Sequence, residues 1–199
     1  ATFLVYGISR KGGRIPVEQL LLTGIAVSLF LSAILSFLMY TAGESLHQIF
    51  LWLMGGFWST SWNDVWIGLL IVPASLSLFL FSRELNIFAF GEEDALHLGV
   101  DTEFLKRSLL LASSFITGLA VAIAGSIGFI GLITPHLVRL VAGPDHRILL
   151  PASMMTGGIL LVFSDTLART VGNEVPVGVV TAFFGAPFFI FLLKRRYMK

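Results

Sequence analysis

The sequence predicts an all-α, polytopic membrane fold: six transmembrane helices, the end of another, and short helices between them. Three observations carry that expectation. Hydrophobic residues make up 56 % of the 199 residues and charged residues 13 %, with a mean hydropathy of +0.89; soluble domains carry about 25 % charged residues. Apolar runs recur at the ~20-residue length that crosses a bilayer as a helix. The Lys and Arg residues gather between those runs, as the loops of one membrane face do. The chain has no cysteine, which excludes disulfides, thiolate metal sites and thiol nucleophiles. A net charge of +1 gives no reason to expect a nucleic-acid partner; membrane lipid is the expected surroundings.

The chain opens Ala-Thr-Phe-Leu-Val-Tyr, apolar and without the basic region of a signal peptide. Residues 1–8 read as the end of a membrane helix, so a C-terminal fragment of a longer protein is expected. Residues 20–41 form the first full span and 65–82 the second. Between them lies "GESLHQIFLWLMGGFWSTSW". Its Leu46, Ile49, Phe50, Leu53 and Met54 follow helical spacing, and Trp52, Trp58, Trp62 and Trp66 cluster about it as aromatics do at a membrane interface. A short interfacial helix is predicted there.

Residues 108–138 are uncharged throughout, too long a run for one ordinary span. Gly125-Ser126-Ile127-Gly128 near its middle permits a turn. The basic residues decide between one span and a hairpin. With a hairpin, Arg10, Lys11, Arg14, Arg83, Lys106, Arg107, Arg139, Arg147, Lys194, Arg195, Arg196 and Lys199 share one face, 12 of the 13, and only Arg169 lies opposite. With a single span the 12 split six and six. The hairpin is therefore predicted, with the C-terminus cytoplasmic. Residues 148–163 and 177–193 supply the last two spans.

The sizeable hydrophilic stretch, residues 83–107, is then cytoplasmic: "RELNIFAFGEEDALHLGVDTEFLKR". Gly91 breaks one short helix. Glu92, Glu93 and Asp94 open another, where carboxylates suit a helix N-terminus, and Gly99 ends it. The residues allow a solvated loop or a docking surface, since a short amphipathic helix gains order in a partner's groove. His136 and Arg139 share a helix face below Pro135. They fit either a proton relay or substrate ligand or a snorkelling helix end. Asp145, His146 and Arg147 follow in the next loop and are a weak set for a metal; no metal is expected. Asp165 and Arg169, spaced i, i+4 with the acid first, predict a structural ion pair. Glu174, before Pro176, stands near the outer entrance. Small residues at Gly157, Gly158, Gly178, Ala182, Gly185 and Ala186 suit close helix packing in a membrane. Catalytic constellations and nucleotide-binding loops are absent from the sequence.

"GSIGFIGLITPHLVRLVAGPDHRILLPASMMTGGILLVFSDTLART", followed by "EVPVGVVTAFFGAPFFIFLLKRR", resembles the permease subunits of the FecCD family, the membrane halves of type II ABC importers for iron-siderophore, haem and vitamin B12. "LLLTGIAVS", "WLMGGF" and "GEEDALHLGV" match in the same order. The resemblance implies a ten-helix subunit, of which residues 1–199 form one permease domain holding the last six helices and the end of the fourth. It implies that 83–107 is the coupling loop, with Gly91, Glu92, Glu93, Ala95, Leu98 and Gly99 meeting a cytoplasmic ABC ATPase. The inner-face signature Pro135, His136, Arg139, Asp145, His146 and Arg147 would meet that loop. Pro16, Val17 and Glu18 would stand near an inner gate, and helices from Leu20, Gly128 and Val177 would line the path. The implied partners are a second permease copy, the ATPase and an extracytoplasmic binding protein, in a bacterial or archaeal cytoplasmic membrane. The chain itself is expected to bind no cofactor and to be no enzyme; ATP and Mg belong to the ATPase. The implied cargo is a metal chelate, an iron-siderophore foremost, or haem or cobalamin. The rival reading is an ion-coupled secondary transporter or channel using His136, Asp165 and Arg169. Such a carrier has no use for a docking helix.

Overall fold

A computed structural model describes residues 2–9, 16–171 and 175–197, with backbone alone at 193 and 195–197. Arg10, Lys11, Arg14, Glu174 and Lys199, and the side chains of Arg195 and Arg196, lie outside the described residues. Among the described residues the chain is helical, without a strand. Its helices are α1 (Thr2–Ser9), α2 (Val17–Thr41), α3 (Leu46–Met54), α4 (Trp62–Gly68), α5 (Ile71–Ser77), α6 (Ser82–Phe88), α7 (Glu92–His97), α8 (Thr102–Ala124), α9 (Ile130–Ala142), α10 (His146–Thr170) and α11 (Val177–Tyr197). Short 3-10 turns at Gly43–Ser45 and Leu78–Phe81 join α2 to α3 and α5 to α6.

Four stretches are long and apolar enough to cross a membrane: Val17–Thr41, Trp62–Phe88, Thr102–Ala124 and His146–Thr170. Ile130–Ala142 and Val177–Leu192 are shorter apolar helices. α11 continues past Leu192 to Tyr197, 21 residues in all, so of the six expected spans α9 is the short one. The 13 residues of α9 rise about 20 Å at ~1.5 Å each, short of the ~30 Å hydrocarbon core.

Several boundaries differ from the sequence reading for local reasons. The second span does not stop at residue 82. It starts on a capping box, in which Ser61 and Asp64 satisfy each other's backbone N–H groups, and runs through α6 to Phe88. The first of the two short helices expected within 83–107 is thus the end of this span. The break comes at Gly91, whose φ of +135° suits glycine. α10 runs past residue 163 because its polar residues are satisfied within the helix. Thr166 and Thr170 hydroxyls donate to the carbonyls of Val162 and Leu167, and Asp165 pairs with Arg169.

The break in the 108–138 run falls where expected. α8 ends at Ala124, and both Gly125 and Phe129 have φ of +67°. Its surroundings define one pole of the molecule. The N–H of Gly56 donates to the Ala124 carbonyl, and the N–H of Gly178 to the Gly55 carbonyl. Ala168, Val177 and Val180 form a buried cluster here, packed by Phe57, Ile127 and Leu167. At the opposite pole Asn86 meets Asp145 and His146. α8 thus runs towards the glycine pole and α9 returns from it, as the hairpin requires. Among the described basic residues, Arg83, Lys106, Arg107, Arg139 and Arg147 gather at the other, basic pole, and Arg169 stands apart from them.

The predicted short helix is α3, and its end is wedged into the glycine pole. A β-carbon on Gly178 would sit 2.0 Å from the Met54 carbonyl oxygen, and one on Gly125 would sit 2.1 Å from that of Trp52. Only glycine permits these backbone-on-backbone contacts. Elsewhere the bundle is thinly buried: α2 has no buried residue, as an apolar helix facing lipid or further helices does.

Candidate functional site

The basic pole carries the residues singled out from the sequence. α6 ends at Phe88, the chain turns through Gly91, and α7 opens on Glu92, Glu93 and Asp94. α7 closes with Leu98 and Gly99, the latter at φ +83°. The N–H of Val100 donates to the Ala95 carbonyl, folding the chain back into α8. The Asp101 side chain then accepts from the Phe104 N–H and caps α8. Lys106 clamps the hairpin: its Nζ donates to Glu92 Oε1 at 2.5 Å and to Glu103 Oε1 at 3.2 Å. Glu92, read from the sequence as a coupling residue, is thus also an internal tie between α7 and α8.

Ala95 was expected to face a docking groove. Its exposure is 0 %, so it packs inward, where its small side chain lets α7 approach the rest of the chain. The outward apolar residues are Phe90, Leu96, Leu98 and Phe104. Leu98 and Phe104 border an open groove of about 400 Å³ that also takes in Phe81, Ile87, Arg83 and Glu84. One carboxylate oxygen of Glu84, buried there, has no hydrogen-bond partner among the described residues. Glu93 and Asp94 are exposed beside this surface.

The second part of the pole is the turn between α9 and α10. Asp145 caps α10 by accepting the Arg147 N–H at 3.0 Å. Asn86, from α6, completes that cap from 59 residues away. Its Nδ2 donates to Asp145 Oδ1 at 2.7 Å, and its Oδ1 accepts the His146 backbone N–H at 2.8 Å. The His146 ring Nδ1 also lies 2.7 Å from Asn86 Oδ1. An amide oxygen only accepts, so the ring proton sits on Nδ1. The Arg147 N–H and the Asn86 amide together hold the Asp145 carboxyl below its usual pKa. Hydrogen bonds to the charged form have that effect.

His136 and Arg139 are exposed on α9, one turn apart, and the geometry brings neither to a polar partner among the described residues. Pro135 lies within α9. No three His, Asp or Glu side chains converge on a metal-sized site among the described residues. Pro16 precedes the first turn of α2, with Val17 and Glu18 exposed. Val17 and Leu20 border a cavity of about 350 Å³ with Lys106 and Leu110 of α8, so the N-terminus of α2 stands beside the clamped hairpin. Asp165 and Arg169 pair at 2.8 Å within α10. At the glycine pole, Met54, Ser126, Gly178 and Phe183 border a further cavity of about 470 Å³.

The sequence reading passed over Asn86 and Glu84 and counted Lys106 only as a charge. All three stand on or beside the apolar runs, and that is the available signal: a polar side chain in an apolar stretch needs a partner.

Membrane-length apolar helices in one bundle, running between two distinct poles, define a multi-pass membrane protein. Residues 1–195 match the FecCD transport family, and the chain belongs to that family. It is 49 % identical over 197 residues to the cobalamin import system permease protein BtuC of Halobacterium salinarum, covering 98 % of this chain and 53 % of that protein. It is 39 % identical over 197 residues to the vitamin B12 import system permease protein BtuC of Klebsiella pneumoniae, covering 98 % and 59 %. A solved structure described as an inward-facing conformation of a metal-chelate type ABC transporter superposes with a TM-score of 0.90 at 34 % identity, covering 98 % of this chain and 63 % of that one. The chain thus spans between half and two thirds of the length of these relatives.

Proposed function

We propose that this chain is the greater part of a permease subunit of an ATP-driven importer that moves a metal chelate across the cytoplasmic membrane. The observation that carries the reading is the hairpin of α7 and the start of α8. α7 has six residues, too few to be stable alone, yet it is clamped by Lys106 and holds Leu96 and Leu98 outwards. Exposed leucines at a basic, loop-bearing pole suit docking of a cytoplasmic ATPase. On this reading the basic pole and the C-terminus lie in the cytoplasm and the glycine pole faces an extracytoplasmic binding protein. A second copy of the permease completes the path. The chain is not itself the enzyme: ATP and Mg sit on the ATPase, and no cofactor is needed here.

Cobalamin is the favoured cargo, because the similar permeases named above are cobalamin importers; iron-siderophore or haem is the second choice within the same class. The test uses the full-length permease in vesicles with its ATPase and binding protein. ATP-dependent uptake of labelled cobalamin, with no uptake of a ferric siderophore, is expected. Preference for the siderophore changes the cargo and keeps the importer. The rival ion-coupled carrier predicts uptake driven by an ion gradient without ATP. Pairing of Asp165 with Arg169 speaks against free intramembrane charges serving such a carrier.

A further inference from the structure

We propose that Asn86 is a positioning residue: it joins the docking pole to the α9–α10 hairpin, so that displacement of one moves the other during transport. The inference rests on the importer reading and assigns a coupling joint within it. The observation is an α10 cap built from two distant segments. A helix N-terminus leaves its first N–H groups without intrahelical acceptors. In α10 the Arg147 N–H is taken by Asp145, as a local cap does. The His146 N–H is taken by Asn86 of α6. Asn86 also donates to Asp145 at 2.7 Å, so one amide binds both halves of the cap.

The amide can sit only one way round. Turning it over would aim its NH₂ at the His146 N–H and its oxygen at the Asp145 carboxylate, setting donor against donor and acceptor against acceptor. The His146 ring, through Nδ1, adds a third bond to the amide, the second to its oxygen. A side chain held from three directions transmits displacement better than apolar contact, which lets helices slide. Asn86 lies on α6, three residues before the turn that leads through Gly91 to α7. α10 packs along α9, which carries His136 and Arg139. The described bonds from the docking pole thus reach α8 through Lys106 and α10 through Asn86.

The test uses the full-length permease assembled in vesicles with its ATPase and binding protein, and reads labelled cobalamin taken up per ATP hydrolysed. Asn86→Leu keeps the number of side-chain heavy atoms and the branch at Cγ and removes every bond. It should insert, retain the ATPase and hydrolyse ATP, while uptake per ATP falls about tenfold, the scale of a typical coupling free energy. Asn86→Asp should fail likewise, because it sets two carboxylates together. Adding Asp145→Ser to Asn86→Asp should recover much of the loss. In the unmodified protein one oxygen, Asp145 Oδ1, takes both the Asn86 amide and the Arg147 N–H; a hydroxyl at 145 accepts the Arg147 N–H and donates to the carboxylate at 86, which still accepts from His146. A merely structural role would lower the amount of inserted protein or bound ATPase and leave uptake per ATP unchanged; that result overturns the proposal. So does a double variant no better than Asn86→Asp alone, which decides the matter if Asn86→Leu fails to insert. Failure of the importer reading shows separately, as absence of ATP-driven uptake by the unmodified assembly, and the joint falls with it.

Discussion

Lys106 holds Glu92 across the turn between α7 and α8, with its ammonium 2.5 Å from the carboxylate. The lysine side chain is 15 % exposed and also meets Glu103, so it stands between two carboxylates. Hydrogen bonds involving a charged group contribute about 1.5–3 kcal/mol. Lys106→Met leaves the carboxylates facing each other and should loosen α7. Amide exchange over 92–97 is expected to speed up roughly tenfold or more, with Lys106→Arg close to the unmodified protein. Unchanged exchange in Lys106→Met would mean that apolar packing alone holds α7.

The pair of Asp165 and Arg169 predicts a charge-exchange result. An exposed i, i+4 pair on a soluble helix contributes only about 0.3–0.5 kcal/mol. In an apolar span the larger effect is the cost of a lone ion, about 2.5–3.5 kcal/mol at mid-membrane and less near its edge. Asp165→Ala should therefore reduce inserted protein. Exchanging the two residues should restore most of it, less a small loss from the reversed order. An exchange as poor as Asp165→Ala would assign the pair a role other than neutralising each other.

The glycine pole predicts a contrast between two glycines. A methyl on Gly178 would overlap the Met54 carbonyl, whereas one on Gly158 meets nothing within 4 Å. Overpacking costs about 1–3 kcal/mol, and here the clashing atom is backbone with little room to yield. Gly178→Ala should lower the thermal midpoint in detergent and Gly158→Ala should not. Equal midpoints would show that α3 can retreat from α11 at no cost.

Asp145 predicts a pH dependence. Its pKa is lowered in the fold by the Arg147 N–H and the Asn86 amide. A depressed carboxyl stabilises the fold above its unfolded pKa, and that contribution is lost as pH falls through the folded value. The stability difference between the unmodified protein and Asp145→Ala should thus be full at neutral pH and shrink in acid. A difference independent of pH would show that the charge of the cap is immaterial.

Local patterns made the spans, the break at Gly125 and the Asp165–Arg169 pair legible in the sequence, because each depends on residues within a few turns of one another. Gly91 and Gly99 marked the ends of α7 for the same reason. The joins between distant segments were not legible. Asn86 and Asp145 are 59 residues apart, and neither type announces its partner. The wedge of Trp52 and Met54 against Gly125 and Gly178 likewise depends on how three helices meet. Ala95 failed as an outward residue because one turn of a short helix leaves the choice of face to the docking of its neighbours.

That reversal changes how the docking surface is tested. Ala95 has no exposure, whereas Leu98 is 66 % exposed and Leu96 51 %. Ala95→Arg would place a charge inside the α7 packing, which is costly without a partner for it, and should disorder α7 even with no ATPase present. Leu98→Glu changes only the outward surface and should leave α7 as protected as in the unmodified protein. If the hairpin is the docking element, both variants lose ATPase co-purification, but only Ala95→Arg shows faster amide exchange over 92–97 in the isolated permease. The measurements are co-purification from membranes and amide exchange on the permease alone. Full co-purification with Leu98→Glu, at unmodified protein levels, would remove this surface from the ATPase contact. The importer reading would then lose the observation that carries it.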